Sequence, residues 1–327
     1  MTIEIIVPDR SIICPDDPIV GRSEMSGHFT IEKLKVAADG EVIEASRTKV
    51  AEFDNIVLDS GVNRIGTATD WLNACQLGTG TATPLATDTG LASFLGGTTS
   101  VQATVVGAQG SAPFFGWHRR TYRFAAGVAT GNLTEVGVGW SAAAGANLYS
   151  RALILDAALQ PTVITKAADE VLDVTYEARL HPPTVDATGN LTIVGSGTHA
   201  FVTRAANVTD VSQWGLSDSA GGIFSSAPAV NQVYAGAIGG VTTQPSGTSS
   251  GASSAVNAAY ANNSLQRAGS ITFGLNEGNV GGIRSMLVRY GTVGRLGTFQ
   301  TEFTPVINKT AAMTLVINTL HTWARRP

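Results

Sequence analysis

The stretch ATGNLTEVGVG, residues 129–139, returns nearly unchanged as ATGNLTIVGSG at 187–197, with nine of the eleven positions identical. Both copies end in a spaced glycine pair. A dinucleotide-binding loop needs G-x-G-x-x-G opening a helix, so that helix amides meet the pyrophosphate. Here Gly137-Val-Gly139 runs into Trp-Ser-Ala and Gly195-Ser-Gly197 into Thr-His-Ala, so the third glycine is missing from both. No Lys in the chain directly follows a Gly, which removes a P-loop. The stretch therefore reads as β structure. Gly131-Asn132 and Gly189-Asn190 are turn dipeptides that tolerate positive φ, and Leu-Thr-x-Val opens a strand. Alternate glycines clear one face of that strand for another backbone or an aromatic ring. Two copies predict matching hairpins in two related sandwiches.

The neighbouring sequence agrees. EVLDVTYEARL (170–180) sets Leu172, Val174, Tyr176, Ala178 and Leu180 against Asp173, Thr175, Glu177 and Arg179, the period of a half-buried antiparallel strand. WHRRTYRF (117–124) alternates in the same way, with Trp117, Arg119, Thr121 and Arg123 on one face and His118, Arg120, Tyr122 and Phe124 on the other. HFTIEKLKV (28–36) leads through Asp39-Gly40 into EVIEA, a hairpin signal, and its apolar parity slips near Lys33, which predicts a bulge. LYSRALILD, LTIVGSG, HAFVTRA, VSQWGL, SITFGL, GGIRSMLVRYG, GTFQTEFTP and AMTLVINTLHTWARR read as further strands. The best helix is DSGVNRIGTATDWL (59–72), with Asp59 or Ser60 as its cap.

Composition points the same way. Charged residues make up 14% of the 327, well below the roughly 25% of typical soluble chains. Gly, Thr, Ser and Ala fill the space instead, which favours strands and turns over helices. The expected fold is mainly β: antiparallel β-sandwich or jelly-roll units with one short helix near the N-terminal region. The expected organisation is an extended arm over 1–26, a β-rich anchoring region with the helix over 27–115, a first sandwich portion over 116–183 and a second β portion over 184–327. Pro182-Pro183 marks the third boundary, unless 116–327 forms one domain. The low-complexity tract 239–264 reads as a long flexible loop within the last portion.

The net charge of −4 creates no large field toward nucleic acid or an anionic membrane, and no apolar run is long enough to span a bilayer. The N-terminal MTIEIIVPDR has no secretory signature. Sixteen Arg against five Lys fits a surface made for packing against partners, since the guanidinium makes several directed hydrogen bonds; a GC-rich coding sequence gives the same bias.

Catalytic patterns are sparse. Gly247-Thr-Ser-Ser-Gly251 matches the nucleophile elbow only formally, within a Ser/Gly tract that has no core strand before it. Asp173 and Glu177 share a strand face with Arg179, which reads as surface pairing. The five His show no zinc spacing, and Cys14 and Cys75 form no C-x-x-C. No catalytic residue, cofactor or metal is expected. Trp117, Arg119, Arg120, Tyr122 and Arg123 form the candidate interface or ligand cluster, suited to protein contact or to stacking on a phosphate or sugar.

FDNIVLDSGVNRIG, CQLGTGTATPLATDTGLASFLG, LTEVGVGWS, NLYSRALILD, LDVTYEARLHPP and the closing GGIRSMLVRYG and FQTEFTPVINKTAAMTLVINTLHTWARR resemble a family of tailed-bacteriophage virion structural proteins, described as tail or tail-fibre proteins. The resemblance runs from about residue 25 through most of the chain, and Tyr176-Glu-Ala-Arg-Leu-His-Pro-Pro is its most specific part. It implies a non-enzymatic virion component of the tail, neck or baseplate, made in the bacterial host cytoplasm. The implied partners are other virion proteins and further copies of the chain, a trimer by analogy with fibres, with a host-surface glycan or receptor as an additional partner. A module binding host glycan and a hydrolase of surface polysaccharide are the alternatives.

Overall fold

In the computed structural model the described residues are 11–12, 18–193, 196–216, 230–291 and 296–327. Most of the expected arm, together with Cys14 and Gly195, lies outside them. The protein is mainly β, built from several antiparallel sheets, with two short helices among the described residues.

The largest sheet has nine strands, and its main path runs Ser254–Asn257, Gln266–Phe273, Thr314–Arg325, Ile19–Val36, Glu170–His181, Gly116–Phe124, Val101–Ala108. Ile19–Val36 and Glu170–His181 form its centre, and the burial of Phe29, Ile31, Val174, Tyr176 and Ala178 follows their alternation. The 18-residue strand Ile19–Val36 shares one edge between two partners. Residues 19–25 pair in parallel with Thr314–Arg325, and residues 28–36 pair antiparallel with Val42–Asp54. Residues 19–26, expected in the arm, are thus part of a central strand; Ile19 and Met25 are buried and carry the apolar alternation outward from residue 28. The bulge falls where parity slips, with register shifts at Ile31/Glu32 and Lys33/Lys35, and Gly40 closes the hairpin at φ +90°.

A five-stranded sheet (Ile56–Val57, Leu148–Leu153, Glu135–Gly139, Ala74–Gly78, Phe94–Thr98) packs on the inner face of the large one. The rings of Phe53, Phe29, Tyr176, Tyr149 and Trp71 form a continuous chain between the two, with successive centroids 4.7–6.1 Å apart. A six-stranded sheet (Ala187–Ile193, Gly197–Ala206, Thr298–Ile307, Ile283–Arg289, Val230–Tyr234, Ser249–Gly251) joins the large sheet through Trp214, Phe299, Tyr290 and His321. Strands from after residue 183 therefore belong to both the large and the six-stranded sheets, so Pro182-Pro183 is a crossing point and not a boundary between separate sheets.

Four local expectations change. The helix ends at Arg64, giving Asp59–Arg64, because Arg64 turns back to grip Asp70 with two hydrogen bonds of 2.9 and 2.6 Å. Its N-cap is Leu58 with no side-chain cap, since Ser60 Oγ donates to Leu148 O and Asp59 pairs with Arg325. VSQW is a single helical turn, Val211–Trp214, capped by Asp210, which accepts from the Ser212 amide at 2.7 Å. The tract 239–264 is not one loop, for Ser249–Gly251 and Ser254–Asn257 pair into two different sheets. The repeat is not a duplicated hairpin either. Its first copy splits into Gly131–Leu133 and Glu135–Gly139, which join different sheets, whereas the second begins with the single strand Ala187–Ile193.

Candidate interaction surface

The alternation of Gly116–Phe124 divides the candidate cluster between two faces. Arg120 and Tyr122 point inward, and both donate to the Leu72 carbonyl, Arg120 Nη1 at 2.6 Å. Tyr122 is fully buried, and burial holds its hydroxyl pKa well above the usual range. These two residues, Tyr122 buried and Arg120 half-buried, fasten the sheet to the chain before Ala74–Gly78, on the face opposite Trp117, Arg119 and Arg123.

Trp117, Arg119 and Arg123 lie on the outer face. Trp117 lies flat on the neighbouring strand, where Gly107 makes room: a Cβ there would come 2.1 Å from the indole. The Arg119 guanidinium stacks over that ring, 4.1 Å from its centroid, and donates to Glu177 directly across the strand pair. Arg179 donates to the other oxygen of Glu177 at 2.5 Å. Arg123 grips Asp173 with two parallel hydrogen bonds of 2.8 and 2.7 Å, and Arg47 reaches the same carboxylate at 3.0 Å. Thr121 and Thr175 bridge the middle at 2.8 Å. Glu32 and Glu44 complete the array on Arg47.

Charge partners shift Glu44, Arg47 and Arg123 within this array. Hydrogen bonds to Glu44, chiefly, hold the Arg47 guanidinium above its ordinary pKa, as those to Asp173 do for Arg123. Hydrogen bonds from Arg47 and Arg123 hold the exposed Glu44 carboxyl below its ordinary value. Asp173 is 1% exposed and Glu177 4% although both face away from the core, because arginine side chains lie over them. Neither carboxylate is placed to act as an acid or base on a ligand. The arrangement is a neutralised, arginine-covered plate.

The plate ends at Val101–Ala108, the last strand of its path, where Val101 and Val105 are exposed. The preceding strand, Phe94–Thr98, ends the five-stranded sheet and exposes Phe94 and Leu95. Two consecutive strands thus place apolar side chains along two sheet ends.

A second surface lies at the loops 79–93 and 141–147, which line a shallow cleft of about 610 Å³ together with Arg151. Buried polar groups hold these loops from beneath. Glu135, fully buried, accepts from the amides of Gly80 (3.0 Å), Ala92 (3.0 Å) and Ser93 (2.7 Å), and pairs with Arg151 at 2.9 Å. Arg151 also binds Asp88 and the Ala82 carbonyl. Gln76 Nε2 donates to the loop oxygens of Ser141, Ala143 and Asn147. Sequence reasoning missed this network. The available signal was a Glu opening a strand, EVGVG, that is buried at all five positions.

Among the described residues, no three His, Cys, Asp or Glu side chains converge as a metal site would require. Ser249 of the G-x-S-x-G match begins an exposed strand. Among the described residues, no helix is long and apolar enough to cross a membrane. No protein-family model, curated protein or solved structure matches the chain.

Proposed function

We propose that this chain is a structural component of a tailed-bacteriophage virion: a fibre-like tail, neck or baseplate appendage that assembles by protein–protein contacts and carries no catalytic site. The observation that supports it most is the outer plate. There Asp173 and Glu177 are covered by arginines and neutralised within the chain, beside two strands that expose Phe94, Leu95, Val101 and Val105. A hydrolase cleaving glycosidic bonds needs two carboxyl groups free to face a sugar. A packing surface needs the reverse: charges already compensated, arginine and aromatic side chains at hand, and apolar area at the rim. The sequence resemblance to tail and tail-fibre proteins supplies the setting. In that reading the assembly is a closed homo-oligomer, a trimer by analogy with fibres.

Sedimentation of the purified full chain tests the assembly. A stable oligomer that Val101→Lys/Val105→Lys weakens is expected, while a monomer at all concentrations counts against the reading. The cleft over loops 79–93 and 141–147 favours a second reading, in which the chain also binds a host-surface glycan or receptor. Its rigid, Thr-rich lining suits hydroxyl recognition, and a glycan array with Thr87→Ala and Thr89→Ala variants separates it from a purely structural role.

A further inference from the structure

Lys309 follows the strand Thr298–Ile307 by two residues and is 6% exposed. Its Nζ donates to Asn279 Oδ1 at 3.1 Å and to the Thr310 carbonyl at 3.5 Å; among the described residues its hydrogen-bond partners are amide oxygens, not a carboxylate. The Asn279 amide is held in place from its other end, where Nδ2 donates to the Leu275 carbonyl at 2.7 Å. The loop carrying it can lie against the lysine because residue 278 is a glycine at φ +73°, where even a Cβ would come 3.1 Å from Lys309 Cδ. Burial lowers the amine's pKa, and the Glu277 charge acts on it in the opposite sense. A desolvated amine beside an oriented acyl group is the arrangement that nucleophilic substitution at an amide requires. With Oδ1 at 3.1 Å, the carbonyl carbon of the same amide falls within roughly 4 Å of Nζ.

We propose that Lys309 and Asn279 join in an intramolecular isopeptide bond. Nζ gives up its ammonium proton to solvent and attacks Asn279 Cγ. The Nζ–Cγ bond forms, a second proton passes from Nζ to Nδ2, and the Cγ–Nδ2 bond breaks to release ammonia. Glu277, two residues from Asn279 and close enough for its charge to act on the amine, is the carboxylate assigned to carry that proton. The step consumes no oxidant, cofactor or second substrate. The bond ties the loop between Gln266–Phe273 of the large sheet and Ile283–Arg289 of the six-stranded sheet to the end of Thr298–Ile307. It thereby locks the junction of the two sheets, a use independent of the virion reading. Lys166 provides an internal control: it too is buried, but its Nζ donates to the backbone carbonyl of Ala125, which offers no side-chain amide.

The test is the intact mass of the denatured, purified full chain, followed by peptide mapping. The expected mass is lower than the sequence mass by one ammonia, with the peptides holding Asn279 and Lys309 recovered as one branched species. Lys309→Arg, which keeps the cation, and Asn279→Ala, in an exposed loop, should each return to their own sequence mass. Glu277→Gln should lower the joined fraction, and Lys166→Arg should leave it unchanged. A wild-type chain at full sequence mass after prolonged incubation at mildly alkaline pH would overturn the proposal. So would an ammonia loss that persists in Lys309→Arg.

Discussion

Replacing Glu135 by Ala removes the carboxylate that holds loop 79–93 to the five-stranded sheet. Three amides lose their acceptor, those of Gly80, Ala92 and Ser93, and Arg151 loses one of its two carboxylate partners. Ala92 and Ser93 are exposed residues whose amides can turn to water, so most of the cost comes from Gly80 and from the guanidinium, whose side chain is 3% exposed. Breaking a buried pair costs about 3–5 kcal/mol, and the lower end applies because Asp88 remains on Arg151. About 3 kcal/mol corresponds to roughly 100-fold faster opening. Amide hydrogen exchange at Gly80 should accelerate by that factor, while the strand Glu170–His181 keeps its protection. Glu135→Ala/Arg151→Met, which removes both charges, should recover part of the loss. Exchange at Gly80 changed less than about threefold in Glu135→Ala would refute the reasoning, because a carboxylate worth under 1 kcal/mol does not hold the loop.

Three further outcomes follow from the same structure. Burial lowers the pKa values of His181 and His321 to about 3, with Arg326 and Arg179 adding to the effect at His181. Both imidazoles bind protons more weakly folded than unfolded, so their stability contribution is complete above about pH 6.5 and is lost as pH falls toward 3. The unfolding free energy from urea titrations should drop between pH 7 and pH 4.5, by up to about 2–3 kcal/mol per histidine, and His321→Gln should flatten that slope. Gly139→Ala places a Cβ 1.9 Å from the Asn147 carbonyl and should cost about 2–3 kcal/mol in denaturant unfolding. Gly197→Ala meets open space at φ +93° and should cost only about 1 kcal/mol. Arg123→Ala uncovers Asp173, yet Arg47 remains on it, so a loss of about 1–2 kcal/mol is expected in the same assay.

Much of the local structure was legible because its causes are local. The alternation in 170–180 and 117–124 fixes which side chains face inward, and the Asp39-Gly40 turn and the slip near Lys33 are written in residue type and parity. What was not legible depends on neighbours distant in sequence. The parallel pairing of residues 19–25 with Thr314–Arg325 joins segments some 300 positions apart and leaves no periodic signal of its own. The repeat shows this most clearly. Its copies differ at two positions, and one of them, Glu135 against Ile193, lies where their paths part. Glu135 is drawn beneath loop 79–93 by three amides and Arg151, while Ile193 enters the apolar core. In the first copy the glycines keep the role their spacing announced, since Gly137 admits Leu148 and Gly139 the backbone at Asn147; in the second, Gly197 meets open space, and Gly189, expected in a turn, lies within a strand and admits the Phe201 ring. The candidate cluster alternates as read and divides between two faces, because adjacent residues of a strand face opposite ways.

The proposed virion role is tested most directly by quantitative mass spectrometry of purified phage particles from a lysate in which this chain is made. A structural role predicts the chain in intact particles, in several copies per tail and retained through density-gradient purification. Its absence from particles, with abundant free chain left in the lysate, would contradict it.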